Sequence, residues 1–393
     1  MIKVAIIGAG GISSSHINAY NAFPDRCRIT AFVDPSPDAG EEKRRELGPR
    51  DARVYRTHEE LLAHEKLDLV SVCTPPDTHE RISVDCLSAR VNVLCEKPMA
   101  PSLAACDAIL RAESASGATF SSVAQNRFRN DVVRLKTAVD SGLLGRITHV
   151  QVDSAWWRGL PYYDLWWRGT WAKEGGGPTL NHAVHHIDLL LWLLGAPAAV
   201  TAVLTNAAHE NAEVEDLSVA VLQYERALAT VSSSVVDHGE HQRILVHGRD
   251  ASVSLAGDVS AEISQLNGFP EPVGNTALAD GLRTLMSDCA PLSHTGHQGQ
   301  IDDVLGAIEE GRRPAIDGRD GRLTIEVITA IYKAGIEHQT VDLPLPADDP
   351  YCQSGTVAER APRFFAKAAA VRHQSGSISV PGERADDVAA GLR

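Results

Sequence analysis

Two segments near the middle of the chain carry side chains suited to moving a proton to or from a substrate hydroxyl. Lys97 lies in Cys95-Glu96-Lys97-Pro98, and Asn181, His185 and Asp188 follow a run of three glycines. An imidazole is a common general base near neutral pH, and an ammonium group can donate to a hydroxyl and stabilise developing alkoxide charge. The spacings of four and three residues place Asn181, His185 and Asp188 on one face of a helix predicted near residues 180–194. We expect Asp188 to cap or anchor that helix, outside the active site.

A glycine-rich segment at the start of the chain is typical of a phosphate-binding turn. Gly8-Ala9-Gly10-Gly11-Ile12-Ser13 follows the first apolar run and opens a helix. The first glycine allows a tight turn, the second lets the backbone approach a pyrophosphate, and the helix N-terminus offers N–H groups and partial positive charge. Ser13 replaces the third glycine, and a small residue there still allows close packing of helix and strand.

Asp34 ends the second strand, 26 residues after Gly8. A carboxylate at this position accepts hydrogen bonds from both ribose hydroxyls of an adenosine and repels a 2′-phosphate. The sequence therefore predicts that the cofactor is NAD rather than NADP.

The elements that must position these residues follow a strand and helix alternation over roughly the first 120 residues. Apolar runs of strand type occupy 3–7, 28–33, 67–73 and 91–95, with helical patterns near 11–22, 38–47, 78–89 and 102–117. This order predicts right-handed βαβ units and a doubly wound parallel sheet. Lys97 then lies just past the carboxyl edge of a strand, where ligands bind in such sheets.

The alternation of strands and helices ends after Phe128. A helix near 130–141 precedes a strand at 147–154, and further strand-type runs follow at 200–205, 217–224, 227–235, 243–247 and 251–255. Successive strands without intervening helices predict an α+β domain with a large, mostly antiparallel open sheet, closed by helices near 299–311 and 321–337. We expect three parts: a nucleotide-binding domain over 1–122, a substrate-binding and oligomerisation domain over 123–347, and a polar tail or arm over 348–393.

Composition excludes several classes of function. The 393 residues carry a formal net charge of −14 without a block of Lys or Arg, which argues against binding to nucleic acid or to an anionic membrane. No apolar run is long enough to cross a bilayer, and the seven cysteines contain no C-x-x-C pair. We therefore expect a cytoplasmic protein without a disulfide framework or a thiolate zinc site.

The segment from Trp156 to Trp171 holds five of the six tryptophans. Flat apolar faces with polar edges suit a carbohydrate site, so we favour stacking on a sugar or a cofactor over plain core packing. Arg158, Arg168 and Lys173 would also suit an anionic group on the substrate.

His182 and His186 are spaced as metal ligands on one helix face could be. Zinc would need a third ligand, and Ala183 stands where the H-E-x-x-H pattern requires glutamate. We expect no metal, and a role for His182 in substrate contact or packing.

Several of these motifs together resemble the glucose-fructose oxidoreductase, inositol dehydrogenase and MocA family of NAD(P)-dependent sugar and cyclitol oxidoreductases. The resemblance runs from Met1 to about Pro346, through the nucleotide-binding turn, the segments 74–79 and 126–128, the Glu-Lys-Pro signature and the glycine-led helix. It implies that His185 is the catalytic histidine. Many members carry Asp where this chain has Asn181, and an amide can orient an imidazole but cannot relay a proton. Lys97 and His185 remain as the working acid/base pair.

Residue chemistry and the family resemblance together give two sets of expected contacts. Cofactor contacts are expected for Gly8, Gly10, Gly11, Ile12, Ser13, Asp34, Thr74, Pro75, His79, Glu96, Lys97, Asn126, Trp167 and Arg168. Substrate contacts are expected for Lys97, Arg127, Arg158, Trp171, Lys173, Asn181, His182 and His185.

The main functional prediction is an NAD-dependent dehydrogenase acting on a secondary hydroxyl of a sugar, glycoside or cyclitol. One alternative is a glycoside hydrolase that oxidises C3 transiently with tightly bound NAD, eliminates the aglycone, adds water and reduces the ketone back. Another is an NAD-sensing regulator without turnover, although a sensor would need neither Lys97 nor His185. The open sheet offers a face for self-association, so we expect a homodimer or homotetramer.

Overall fold

A six-stranded parallel sheet with helices on both faces forms the first part of the protein. The structure is a computed structural model that describes residues 1–368, 370 and 371. In chain order the elements are β1 (Ile2–Ile7), α1 (Ser13–Asn21), β2 (Cys27–Val33), α2 (Pro37–Leu47), β3 (Arg53–Tyr55), α3 (His58–His64), β4 (Leu69–Val72), α4 (His79–Ser88), β5 (Asn92–Cys95), α5 (Leu103–Ser116) and β6 (Phe120–Ser122). The strand order is β3-β2-β1-β4-β5-β6, and every neighbouring pair is parallel. The predicted doubly wound sheet is confirmed, with its switch point between β1 and β4.

A second, eight-stranded sheet forms most of the remaining structure. Its elements and helices are α6 (Asn130–Asp140), β7 (Ile147–Trp157), α7 (Pro178–Asn181), α8 (Val184–Leu194), β8 (Ala199–Thr205), β9 (Leu217–Tyr224), β10 (Ala227–Ser234), β11 (Val236–Gly248), β12 (Ser252–Ser254), β13 (Val259–Ser260), α9 (Thr276–Ser287), α10 (Gly296–Glu310), α11 (Gly318–Glu337), β14 (Val341–Asp342) and α12 (Thr356–Arg360). The strand order is β13-β12-β11-β7-β10-β9-β8-β14. Only β7 and β10 pair in parallel, so the expected mostly antiparallel sheet is also confirmed.

Helices α10 and α11 join the two sheets. Helix α10 packs on α1, while α11 packs on β8, α5 and α8. Close approach explains small residues on α11: a Cβ at Gly321 would lie 2.8 Å from the Ser122 side chain, and one at Gly335 would lie 2.5 Å from Leu204. The carboxyl ends of β5 and β6 therefore lie beside α8 and α11, where Lys97 and His185 can meet.

The predicted single helix near 180–194 is wrong. Helix α7 ends at Asn181 and α8 begins at Val184, because the Ala183 N–H bonds the Pro178 carbonyl in a wider turn. Apolar periodicity alone could not indicate this break, since the residues on both sides of it face the core.

The segment after Asp348 is not a free tail at its beginning. Tyr351 and Cys352 are buried, Lys333 pairs with Asp349, and α12 follows. Two buried side chains were too few to give a periodic signal in a polar sequence. The rest of the predicted tail, residue 369 and residues 372–393, lies outside the described residues.

Among the described residues, no helix is both long and apolar enough to cross a bilayer. All seven cysteines are free, and six of them are buried. The six buried cysteines pack as small apolar side chains.

Candidate active site

Lys97 and His185 line one cavity between the two sheets. Lys97 follows β5 by two residues, and His185 lies in the first turn of α8. Asp188 and Thr324 also line this cavity. The structure thus brings together the two residues for which acid/base roles were predicted from separate parts of the sequence.

Hydrogen bonds fix both the side chain and the backbone of Lys97. Its Nζ donates to the Asn181 carbonyl oxygen at 3.3 Å, and its backbone N–H donates to the Glu96 carboxylate at 3.1 Å. Burial and the nearby Arg168 guanidinium lower the pKa of Lys97, although the Glu96 carboxylate opposes them. A lowered pKa makes the ammonium a better proton donor.

Glu96 is held by two histidines that the sequence analysis did not single out. Its Oε1 lies 2.9 Å from His16 Nε2 and 3.4 Å from His297 Nε2, and His16 Nδ1 is 3.1 Å from the Ser71 hydroxyl. Burial alone would favour the neutral carboxyl, but the bond to His16 and the nearby His297 hold the pKa of Glu96 well below its usual range. Helices α1 and α10 therefore anchor the residue that precedes Lys97.

His185 is a neutral imidazole at neutral pH. Burial, and then the charge of Lys97, lower its pKa well below the usual value. Neither ring nitrogen has a hydrogen-bond partner within the described part of the chain, and the residue lines the cavity. A neutral, half-buried imidazole next to an ammonium group can accept a proton from a hydroxyl placed between them.

Asn181 and His182 occupy the break between α7 and α8. Asn181 Nδ2 donates to the Gly176 carbonyl at 2.7 Å and to the Gly177 carbonyl at 3.3 Å, so its amide hydrogens stabilise the glycine loop. Burial, Arg158 and Lys97 lower the pKa of His182 well below its usual value. Its ring centroid is 5.5 Å from that of Trp156.

Arg127, expected to contact substrate, is placed in a buried ion-pair network instead. Its guanidinium donates to Asp188 at 2.7 and 2.9 Å and to Asp320 at 3.0 Å, and it lies 5.6 Å from the ring of Trp192. Two carboxylates draw the side chain inward between α8 and α11. Asp188 accordingly anchors α8, but it also lines the cavity that contains Lys97 and His185, whereas we expected it to lie outside the active site.

The glycine loop after β1 fits a dinucleotide. Gly8 has a φ of +100°, and a Cβ there would lie 2.6 Å from the Cys73 carbonyl oxygen, whereas Gly10 and Gly11 have open space. The half-buried Asp34 carboxylate accepts from the Ala9 N–H and the Ser36 N–H, both at 2.9 Å. These contacts fix Asp34 beside the start of α1, where adenosine ribose would lie when pyrophosphate meets that helix N-terminus.

The remaining expected cofactor contacts lie around this edge of the sheet. Thr74 and Pro75 are partly or fully exposed at the end of β4, and Asn126 is half-buried after β6. His79 is fully buried, with its ring nitrogens 2.8 Å from the Thr74 carbonyl and 3.0 Å from the Pro98 carbonyl. It ties two loops together and does not reach the surface of the site.

Part of the tryptophan-rich segment lies beside Lys97. The Arg168 guanidinium lies 4.4 Å from the Trp167 ring and 4.2 Å from the Tyr162 ring, and it pairs with Glu174 at 3.2 Å. Arg158 lies 5.4 Å from the Trp156 ring. Cations stacked on aromatic faces form a wall next to His182.

Trp171, at the end of this segment, and Lys173, two residues beyond it, were both expected to contact the substrate. Trp171 is 2% exposed, its indole N–H donates to the Glu213 and Pro362 carbonyls, and its ring packs edge-on against Tyr332. Lys173 is exposed and has no ion pair with a described residue. The expected substrate contact of Trp171 is replaced by core packing, because two backbone carbonyls satisfy its polar atom.

Comparisons with known proteins agree with this architecture. Residues 2–124 match a family model described as an oxidoreductase family with an NAD-binding Rossmann fold, and residues 132–254 match the GFO/IDH/MocA C-terminal domain. Inositol 2-dehydrogenase from Rhizobium meliloti is 26% identical over 350 residues, which cover 87% of this chain and 99% of the relative.

Two solved structures extend the comparison. The WlbA dehydrogenase of Bordetella pertussis, in complex with NADH and UDP-GlcNAcA, has a TM-score of 0.74 and 27% identity, covering 88% of this chain and 99% of its own. The aldose-aldose oxidoreductase of Caulobacter crescentus, complexed with glycerol, has a TM-score of 0.71 and 27% identity, with coverages of 87% and 99%. Since the two family models together span more than half of the sequence, this chain belongs to the GFO/IDH/MocA family of NAD(P)-dependent oxidoreductases.

Proposed function

We propose that the protein is an NAD-dependent dehydrogenase that oxidises a secondary hydroxyl of a sugar, glycoside or cyclitol. The observation that carries the proposal is the presence of Lys97 and His185 in the lining of one cavity at the carboxyl edge of the parallel sheet. Relatives named as inositol and sugar oxidoreductases support the substrate class.

In the proposed reaction, the substrate hydroxyl lies between Lys97 Nζ and the His185 ring. His185, which burial keeps neutral, accepts the hydroxyl proton as the general base. The Lys97 ammonium donates a hydrogen bond to the same oxygen and stabilises the developing alkoxide. Bound NAD supplies a two-electron acceptor at its nicotinamide, so the carbon that loses its hydrogen with both electrons becomes a ketone. In the reverse direction His185 returns the proton.

The walls of the site would orient this substrate. Trp156 and Tyr162 offer aromatic faces to a sugar ring, and Arg158 and Arg168 offer donors to its polar edges or to an anionic substituent. Asn181 contributes its backbone carbonyl to Lys97, and its amide takes no part in proton transfer.

A single assay tests the proposal against both alternatives. The purified protein is incubated with NAD and a panel of aryl glycosides, free sugars and inositols, and NADH absorbance and aglycone release are followed in the same wells. NADH that accumulates with a free polyol or an intact glycoside supports the dehydrogenase. Aglycone release without net NADH would establish a redox-assisted glycosidase, and NAD binding without any turnover would favour a sensor.

A further inference from the structure

Glu215 is a fully buried carboxylate that the reaction above does not use. It accepts hydrogen bonds from the Gly177 N–H at 3.1 and 3.2 Å, from the Thr179 N–H at 3.3 Å and from the Tyr332 hydroxyl at 3.0 Å. No Lys or Arg forms an ion pair with Glu215 among the described residues. Its partners are therefore the backbone that begins α7 and one hydroxyl on α11.

The same two residues explain the glycines before α7. A Cβ at Gly177 would lie 1.9 Å from the Glu215 carbonyl oxygen, and a Cβ at Gly176 would lie 2.1 Å from the Tyr332 hydroxyl. The lack of a side chain is thus needed for the close approach of Glu215 and Tyr332.

A short series of contacts connects this loop to Lys97. The Asn181 N–H donates to the Gly177 carbonyl at 3.0 Å, and the Asn181 amide donates to the Gly176 and Gly177 carbonyls. The Asn181 carbonyl accepts from Lys97 Nζ. A displacement of Gly177 would consequently move the oxygen that orients the Lys97 ammonium.

We propose that Glu215, supported by Tyr332, is a positioning residue that fixes the loop Gly176–Asn181 and through it the direction of the Lys97 ammonium. The effect on turnover rests on the proposed function, whereas the effect on the loop does not. A carboxylate is a stronger acceptor for N–H groups than a neutral amide, so Glu215→Gln should loosen the loop without changing its shape.

Hydrogen exchange tests the structural half of the proposal in the full chain. We expect the amides of Gly177 and of residues 179–181 to exchange at least about tenfold faster in Glu215→Gln than in the wild type at pH 8. Glu326→Gln is the matched control, because Glu326 is also a buried carboxylate that accepts a backbone N–H, from Leu345, but it has no contact with this loop. Unchanged exchange in Glu215→Gln, or equal acceleration in Glu326→Gln, would overturn the proposal.

Measuring loop exchange over a pH series adds a second test, because a glutamate that holds the loop through its ionised carboxylate should lose this effect when it is protonated. Burial raises the pKa of Glu215 to about 7, and the titratable groups that face it are Tyr332, Glu174 and Tyr163. After correction for intrinsic rates, wild-type exchange in the loop should approach that of Glu215→Gln as the pH falls from 8 to 6. The exchange rates of Glu215→Gln and of the wild type should therefore differ at pH 8 and converge toward pH 6. A difference in rate that is the same at both pH values would contradict the proposal.

Steady-state turnover is the third measurement. Glu215→Gln should lower kcat about tenfold and change the KM for NAD less than twofold, because only Lys97 loses its orientation. If Glu215→Gln fails to fold, Tyr332→Phe removes one donor without altering the carboxylate, and unchanged loop exchange in that variant would also overturn the proposal. A wild type without NADH formation would contradict the proposed function alone, while wild-type kcat in Glu215→Gln would contradict the positioning role alone.

Discussion

At the scale of single residues, the site places the His185 imidazole next to the amino group of Lys97. Burial and the adjacent Lys97 lower the pKa of His185 well below its usual value, and burial and Arg168 lower the pKa of Lys97. In the proposed reaction His185 accepts a proton while Lys97 donates a hydrogen bond. Glu96, Asn181 and Glu174 contact the backbone or the cations around this pair and fix its geometry.

Replacement of His185 should remove the general base. We expect His185→Ala to lower kcat by about 10²- to 10⁴-fold, the usual contribution of a positioned acid or base. Steady-state kinetics with the best substrate of the panel measure the effect. His186→Gln is the control, because the neighbouring His186 is buried and bonds Ser154, and the variant should keep kcat within a few-fold. Equal losses in both variants would mean that packing, and not proton transfer, explains the effect.

Replacement of Asp34 should change the choice of cofactor. Asp34→Ser removes a negative charge from the place where the ribose 2′ position would lie, so the ratio of kcat/KM for NADP to that for NAD should rise about tenfold or more. The measurement is the pair of kcat/KM values with one saturating substrate. An unchanged ratio would place the ribose contact elsewhere.

Some residues could be assigned from the sequence and others could not. Lys97, His185, Gly8 and Asp34 stand in local motifs whose spacing requires a particular backbone, and that backbone is present. Arg127 and Trp171 stand in equally recognisable segments, but their partners, Asp320 and Glu213, are distant in sequence. A contact decided by tertiary packing leaves no signal in local spacing.

At the scale of elements, two buried carboxylates fix the segment between β7 and α8. Glu174 accepts from the Gly169 N–H at 2.5 Å and pairs with Arg168, and Glu215 binds the start of α7. Burial raises the pKa of both carboxyls to about 7. We therefore expect the loops that carry the aromatic wall and the start of α7 to respond to pH near neutrality.

Glu174 should make stability fall with rising pH. Its carboxyl ionises near 4.5 in an ordinary setting and near 7 when folded, so its contribution to stability is full below about 4.5 and is lost as the pH rises through about 7. Glu174→Gln removes this dependence. The free energy of unfolding of the variant, relative to the wild type, should increase by about 2 kcal/mol between pH 5 and pH 8 in urea titrations. Exposed Glu225→Gln is the control, and the same difference at both pH values for Glu174→Gln would contradict the assignment.

The elements themselves were largely predictable, with informative exceptions. Strands β1, β2 and β9 have uninterrupted apolar or alternating patterns that the parallel and antiparallel sheets require. Short elements such as β3 and β6 span three residues, too few to show a period. Helix α9 was also missed, because it follows a loop of exposed residues and buries only three side chains.

At the scale of the whole molecule, one face of the second sheet exposes three large apolar side chains on adjacent strands. Val203, Val219 and Leu228 are 65%, 48% and 48% exposed on adjacent strands, and Val203 pairs directly with Val219. Their strand neighbours Ala202 and Ala220 point to the buried side. A flat apolar face of this kind is a candidate surface for self-association.

Charges on this face should prevent association. We expect the wild type to sediment as a homodimer or homotetramer, and the double variant Val203→Lys, Val219→Lys to sediment as a monomer at micromolar concentration. Val273→Lys replaces an equally exposed valine outside the sheet and should leave the oligomer intact. A wild type that is monomeric, or a double variant that stays assembled, would exclude this face as the interface.

In the proposed mechanism Lys97 acts on the substrate and not on cofactor binding, and one variant tests this role most directly. Lys97→Ala is compared with the wild type in NADH formation on the best substrate, and NAD binding to both proteins is measured by calorimetry. We predict that turnover falls below detection while the Kd for NAD changes by no more than a few-fold. Near wild-type kcat in Lys97→Ala would contradict the mechanism, and loss of NAD binding together with turnover would contradict the assigned role of Lys97.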